Sequence, residues 1–142
     1  MPGAELFDFP SGTFTWLDEQ LTQLKDQRAT IILLQHHPFR SPIYIPGEIY
    51  SFGEEKRLRL EHLFRKYSSL NYFGVFAGHF HMWSNGTAFD NLPKFHQFET
   101  EACKVSQALA LVTADMKTGE ILSIDKLYGD PPQRVKITLE HQ

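Results

Sequence analysis

The sequence predicts an α/β fold with mixed sheets, and three observations carry that prediction. Two continuous apolar runs, residues 30–35 and 72–77, are short and bounded by turn-forming residues, as strands are. A stretch of helical spacing over 54–67 separates them, and another over 13–27 precedes them. Beyond residue 94, three further segments read as strands, and a strand–helix–strand unit followed by such a run predicts parallel pairing first and antiparallel pairing later.

Each element has its own justification. Residues 1–11 hold Pro2, Gly3 and Pro10, show no period and read as an irregular lead-in. Over 13–27, Phe14, Leu17, Leu21 and Leu24 recur at helical spacing, and Thr15 with Asp18 loosely resembles a capping box. Residues 30–35 are apolar without interruption, the pattern of a strand buried on both faces. Pro38, Pro42, Pro46, Gly47 and Gly53 make 38–53 a long loop, with Tyr44 and Tyr50 inside it. That loop reads either as a substrate wall or as a plain surface crossover.

The second helix, 54–67, places Leu60, Leu63, Phe64 and Tyr67 on one stripe and opens with Glu54 and Glu55, which suit the helix dipole. Residues 72–77 form the second buried strand. The later strands are expected at 95–98, 108–114 and 121–128, with Lys117-Thr118-Gly119 turning between the last two. These form the antiparallel run. Asp130-Pro131-Pro132 interrupts the pattern, so 130–142 reads as a tail with a short edge strand at 135–139.

Composition narrows the function classes. A chain of 142 residues has room for one domain with a real core, and 42% hydrophobic against 22% charged residues is ordinary for a globular protein. The twelve phenylalanines cluster near the histidine segments, predicting an aromatic core there. A net charge of −3 and the single short basic stretch Lys56-Arg57-Leu58-Arg59, set among glutamates, provide no nucleic-acid footprint. No apolar run reaches the roughly 18–20 residues of a membrane span. The lone Cys103 and the lack of a signal-peptide pattern lean toward a reducing, cytoplasmic location, although Asn85-Gly86-Thr87 fits a glycosylation sequon.

The chemistry resides in three histidines. His36 follows the first strand; His79 and His81 follow the second, in Gly78-His79-Phe80-His81. Open α/β sheets bind ligands beyond the carboxyl ends of their strands, so the two loops describe one pocket. Neutral imidazole is a common ligand for zinc and iron. If strand geometry persists past residue 77, His79 and His81 point to one face about 6–7 Å apart, a spacing for one metal or for a pair. Gly78 would supply the tight turn. His37 reads as a half-buried residue bonded to backbone, and His62 as a solvated helix residue. Asp90, Glu99 and Glu101 follow the second loop, but no spacing nominates them.

In order and on these elements, Gln35-His36-His37-Pro38 and Gly78-His79-Phe80-His81 resemble the last two motifs of the calcineurin-like metallophosphoesterases. The helix containing Thr15-Trp16-Leu17-Asp18-Glu19-Gln20-Leu21 and the strand Leu109-Ala110-Leu111-Val112 extend the similarity over about 12–129. The resemblance implies the C-terminal part of an α/β/β/α sandwich that hydrolyses a phosphate mono- or diester with metal-activated water. It implies two metal ions, with manganese, iron and zinc not distinguished. His36 and His79 would ligate one ion and His81 the other; His37 matches a variable position and inherits no role. The family's Asp-x-His, Gly-Asp-x-x-Asp and Gly-Asn-His motifs do not occur in this sequence, so no catalytic histidine is assigned. The chain thus resembles the C-terminal half of such an enzyme, whose partner would be a segment carrying the missing motifs. The alternative is a non-catalytic metal-binding or protein-interaction module built on the same fold.

Overall fold

The computed structural model describes residues 12–43, 51–101 and 108–137. Readings that fall elsewhere lie outside the described residues: the 1–11 lead-in, Tyr44 and Tyr50 in the long loop, Cys103, and the tail from 138 onward. Among the described residues the order is α1 (Thr13–Leu24), β1 (Thr30–Leu34), α2 (Glu54–Lys66), β2 (Asn71–Ala77), β3 (Ser84–Thr87), β4 (His96–Glu99), β5 (Leu109–Ala114), β6 (Ile121–Tyr128) and β7 (Gln133–Ile137). This is an α/β chain with a mixed four-stranded sheet, order β1-β2-β4-β3, and an antiparallel three-stranded sheet, order β5-β6-β7. No helix among the described residues is long and apolar enough to cross a membrane.

The two helices cover one face of the first sheet. Their apolar stripes supply Leu21, Leu60, Leu63 and Phe64, which pack with Val75 of β2 and with Phe39, Phe89 and Phe95. The Phe64 and Phe95 ring centroids lie 4.9 Å apart, and those of Phe39 and Phe89 5.2 Å apart, within the range of favourable aromatic pairs. The aromatic core expected near the histidines is therefore present. Asp18 does not cap α1; Gly12 occupies the N-cap with no side-chain bond. Asp18 instead accepts hydrogen bonds from Lys66 and from the Tyr67 hydroxyl, joining the helices.

The second sheet closes the opposite face, where Ile124 packs with Phe73 and Phe98 and draws in Phe76, Val112, Ile121 and Ile137. It meets β1 at Thr30, which the β5–β6 turn at Gly119 touches, and leaves Ile32 and Leu34 uncovered. The expectation that this strand is buried on both faces is corrected: Ile32 is 38% and Leu34 79% exposed. Among the described residues β1 is an edge strand, and only its Ile31 and Leu33 side joins the helical core.

β1 and β2 pair in parallel, as the strand–helix–strand pattern requires. The expected antiparallel run begins later than the sequence indicates, because β4 pairs in parallel with β2. Among the described residues, antiparallel pairing is confined to β3–β4 and to the second sheet. β3 was not expected from the sequence: Ser84-Asn85-Gly86-Thr87 has turn chemistry, and its pairing with β4 overrides it. The last edge strand, expected at 135–139, begins two residues earlier and is described over Gln133–Ile137; 138–139 lie outside the described residues.

Candidate metal centre

β1 and β2 end side by side, and their hydrogen-bond ladder runs on into the histidine loops. The Gln35 N–H donates to the Phe76 carbonyl at 3.1 Å, and the Gly78 N–H donates to the His36 carbonyl at 3.0 Å. The main chain of His36 is thereby tied to the residue preceding His79. The side chains follow: His36 Nε2 and His79 Nδ1 are 2.9 Å apart. Ring centroids are 4.9 Å apart for His36–His37, 4.9 Å for His36–His79 and 4.5 Å for His37–His79. One nitrogen from each ring lies within 4.8 Å of the other two.

The structure thus brings together His36 and His79, as expected, and adds His37. His81 is not one of the three and is exposed, although its charge acts on His79. The same-face spacing drawn for His79 and His81 presumed a continuing strand, but β2 stops at Ala77. His79 and His81 then both adopt left-handed backbone, with φ of 76° and 54°. Non-glycine residues there cost on the order of 1 kcal/mol or more each, a strain that concentrates at functional loops. Gly78 does not carry the turn; its φ is not positive, and the two histidines that follow supply the left-handed residues.

The donor set suits a transition metal. Burial, and then the neighbouring imidazoles, hold the His37 and His79 pKa values below the usual histidine range. Both rings are therefore neutral at pH 7, the form that ligates. Three imidazole nitrogens this close together can hold one metal ion.

Two supports hold the loops from below. Gln97 on β4 is buried; its Oε1 accepts from the Arg40 N–H at 3.1 Å, and its Nε2 donates to the Arg40 carbonyl at 2.7 Å. That Nε2 also donates to Glu99 Oε1 at 3.1 Å. Glu99 is fully buried, paired across the sheet with Ala77, and its Oε2 has no partner among the described residues. Burial pushes its carboxyl up to about 7, against hydrogen bonds from Gln97 and Ser84 that pull it down. Beyond the second loop, the Lys126 ammonium lies 5.3 Å from the Trp83 ring centroid and 5.4 Å from that of Tyr128, and it pairs with Glu101.

Sequence reading missed His37, Gln97 and Glu99. The signal for the last two is spacing: Gln97 and Glu99 are two apart, so on a strand both side chains fall on one face. His37 left no comparable signal, because a histidine after a strand more often bonds to backbone. Comparison with protein-family models and with curated proteins finds no match for this chain.

Proposed function

We propose that this chain is the imidazole-bearing part of a calcineurin-like metallophosphoesterase, a metal-dependent hydrolase of phosphate mono- or diesters. The observation that carries the reading is the convergence of His36, His37 and His79 at the carboxyl ends of two adjacent parallel strands. The motif order, the crossover helix and the second sheet packed behind the first support it and fit part of an α/β/β/α sandwich.

His36 and His79 would hold one metal ion, and His81, by resemblance, would face a second. His37 stands where it can complete the first ion's set. A bound metal supplies Lewis acidity toward phosphoryl oxygens and lowers the pKa of its water. The residues present contribute imidazole donors and hold them fixed through the strand ends. No bridging carboxylate or asparagine ligand from the family's opening motifs occurs in this sequence. Turnover therefore awaits a segment that carries them.

The test is hydrolysis of p-nitrophenyl phosphate and its bis-ester with manganese, zinc or iron, by the chain alone and by the chain joined to a segment bearing the Asp-x-His, Gly-Asp-x-x-Asp and Gly-Asn-His motifs. We expect little or no hydrolysis alone and metal-dependent hydrolysis by the joined protein, lost in His79→Ala. An inactive joined protein that is folded and metal-loaded would overturn the enzymatic reading.

One observation favours a second reading. The three clustered imidazoles form a set for one ion rather than two, as a non-catalytic metal-binding module would require. Equilibrium dialysis separates them: one ion per joined protein supports the module, two support the phosphoesterase.

A further inference from the structure

We infer that Gln97 is the positioning residue of the imidazole cluster, an inference that rests on the metal-site reading above. A buried carboxamide must find partners for its donors and its acceptor, or cost stability. Gln97 finds them in the main chain of Arg40, accepting from its N–H and donating to its carbonyl. This pair of hydrogen bonds to one residue mimics a rung of β-ladder and fixes Arg40, three residues beyond His37, against β4.

The segment between is short and closed at both ends. At its start, the His36 carbonyl is held by Gly78. Within it, Pro38 and Phe39 are buried in the aromatic core, and the Gln35 Nε2 donates to the His37 carbonyl at 2.6 Å. At its end, the Arg40 guanidinium reaches outward to Asp90 at 2.6 Å, but that pair is exposed and contributes little. The buried restraint at this end is Gln97.

Gln97 is in turn oriented by Glu99. The Nε2 donation to Glu99 Oε1 fixes which end of the carboxamide faces Arg40 N–H. Gln97 thus stands one hydrogen bond behind the loop carrying His36 and His37, and its register partner Val75 lies in β2, the strand that leads to His79. The amide acts on the site through the backbone it holds, as outer-shell groups do around metal ligands.

The experiment uses Gln97→Asn, which stays polar but is one methylene too short to span the same bonds, beside Gln97→Met, which keeps the length and loses them. Circular dichroism establishes that each is folded. Imidazole signals are then followed by nitrogen-15 NMR in the metal-free chain, and cobalt(II) affinity is taken from its visible absorption. The expected result is that the His36, His37 and His79 signals move in both variants while that of exposed His62 does not. Cobalt(II) should bind about tenfold or more weakly, in the range outer-shell changes produce. Unmoved cluster signals in a folded variant would overturn the inference. The NMR arm needs no metal, so parent protein that fails to bind cobalt(II) counts against the metal reading alone. Should Gln97→Met fail to fold, Gln97→Asn decides.

Discussion

Glu99 and the histidines around it pull stability in opposite directions with pH. A carboxyl moved from 4.5 to about 7 favours its protonated form in the folded chain. That displacement corresponds to a penalty on the order of 3 kcal/mol once the group ionises. Because the folded state binds the proton more tightly, the Glu99 contribution falls as pH rises from about 4.5 through 7. His37, His79 and His96, held below the usual range chiefly by burial, act in reverse and lose stability as pH falls through the imidazole range. A difference measurement isolates the acid. Thermal midpoints of Glu99→Gln and parent should nearly coincide at pH 5 and diverge by several degrees at pH 8, with the variant the more stable. Parallel curves across that range would show that Glu99 ionises freely in the folded chain.

Two glycines separate backbone need from habit at the scale of single elements. Gly74 lies in β2 with φ of 149°, and a Cβ there would stand 2.0 Å from the His96 carbonyl oxygen of β4. Main chain cannot retreat from that contact without opening the β2–β4 pair. Gly74→Ala should cost at least about 2–3 kcal/mol in chemical denaturation. Gly78, which the motif presents as the special residue, would place a Cβ no closer than 3.9 Å to the His36 oxygen. Gly78→Ala should therefore fall within about 1 kcal/mol of parent. Equal costs would mean that the strand ends are not arranged as described.

The same contrast shows what the sequence makes legible. Helical stripes and continuous apolar strands follow from local period, so α1, α2, β1 and β2 could be read within a few residues of their ends. Which strand pairs with which depends on contacts distant in sequence, so β4 was assigned to the wrong run. Burial of β1 failed for the same reason: an apolar run reports a preference, and Leu34 stays exposed because the second sheet stops short of it. At the site, Gly78-His79-Phe80-His81 marked the loop correctly, yet the left-handed backbone of His79 and His81 has no sequence signature.

At the scale of the whole molecule, two cores of unequal weight flank one sheet. The larger contains Leu21, Leu60 and five phenylalanines under the helices; the smaller holds Phe73, Phe98 and Ile124 between the sheets. Phe64→Ala, in the middle of the first, should cost about 3–5 kcal/mol and leave the chain unfolded or nearly so. Leu34→Thr, on the uncovered side of β1, should change stability by no more than about 0.5 kcal/mol. Denaturation of the two variants side by side checks that asymmetry; a large loss in Leu34→Thr would show that something covers β1 in solution.

The convergence of His36, His37 and His79 is the centre of the account, and metal content tests it most directly. Purified chain, shown by circular dichroism to be folded, is equilibrated with zinc, desalted and measured by plasma mass spectrometry beside His79→Ala and His62→Ala. The account predicts about one zinc per parent chain and per His62→Ala chain, as three imidazoles and a water can hold, and a small fraction of that in His79→Ala. Folded parent protein that retains no zinc, or His79→Ala that retains as much as parent, would contradict it.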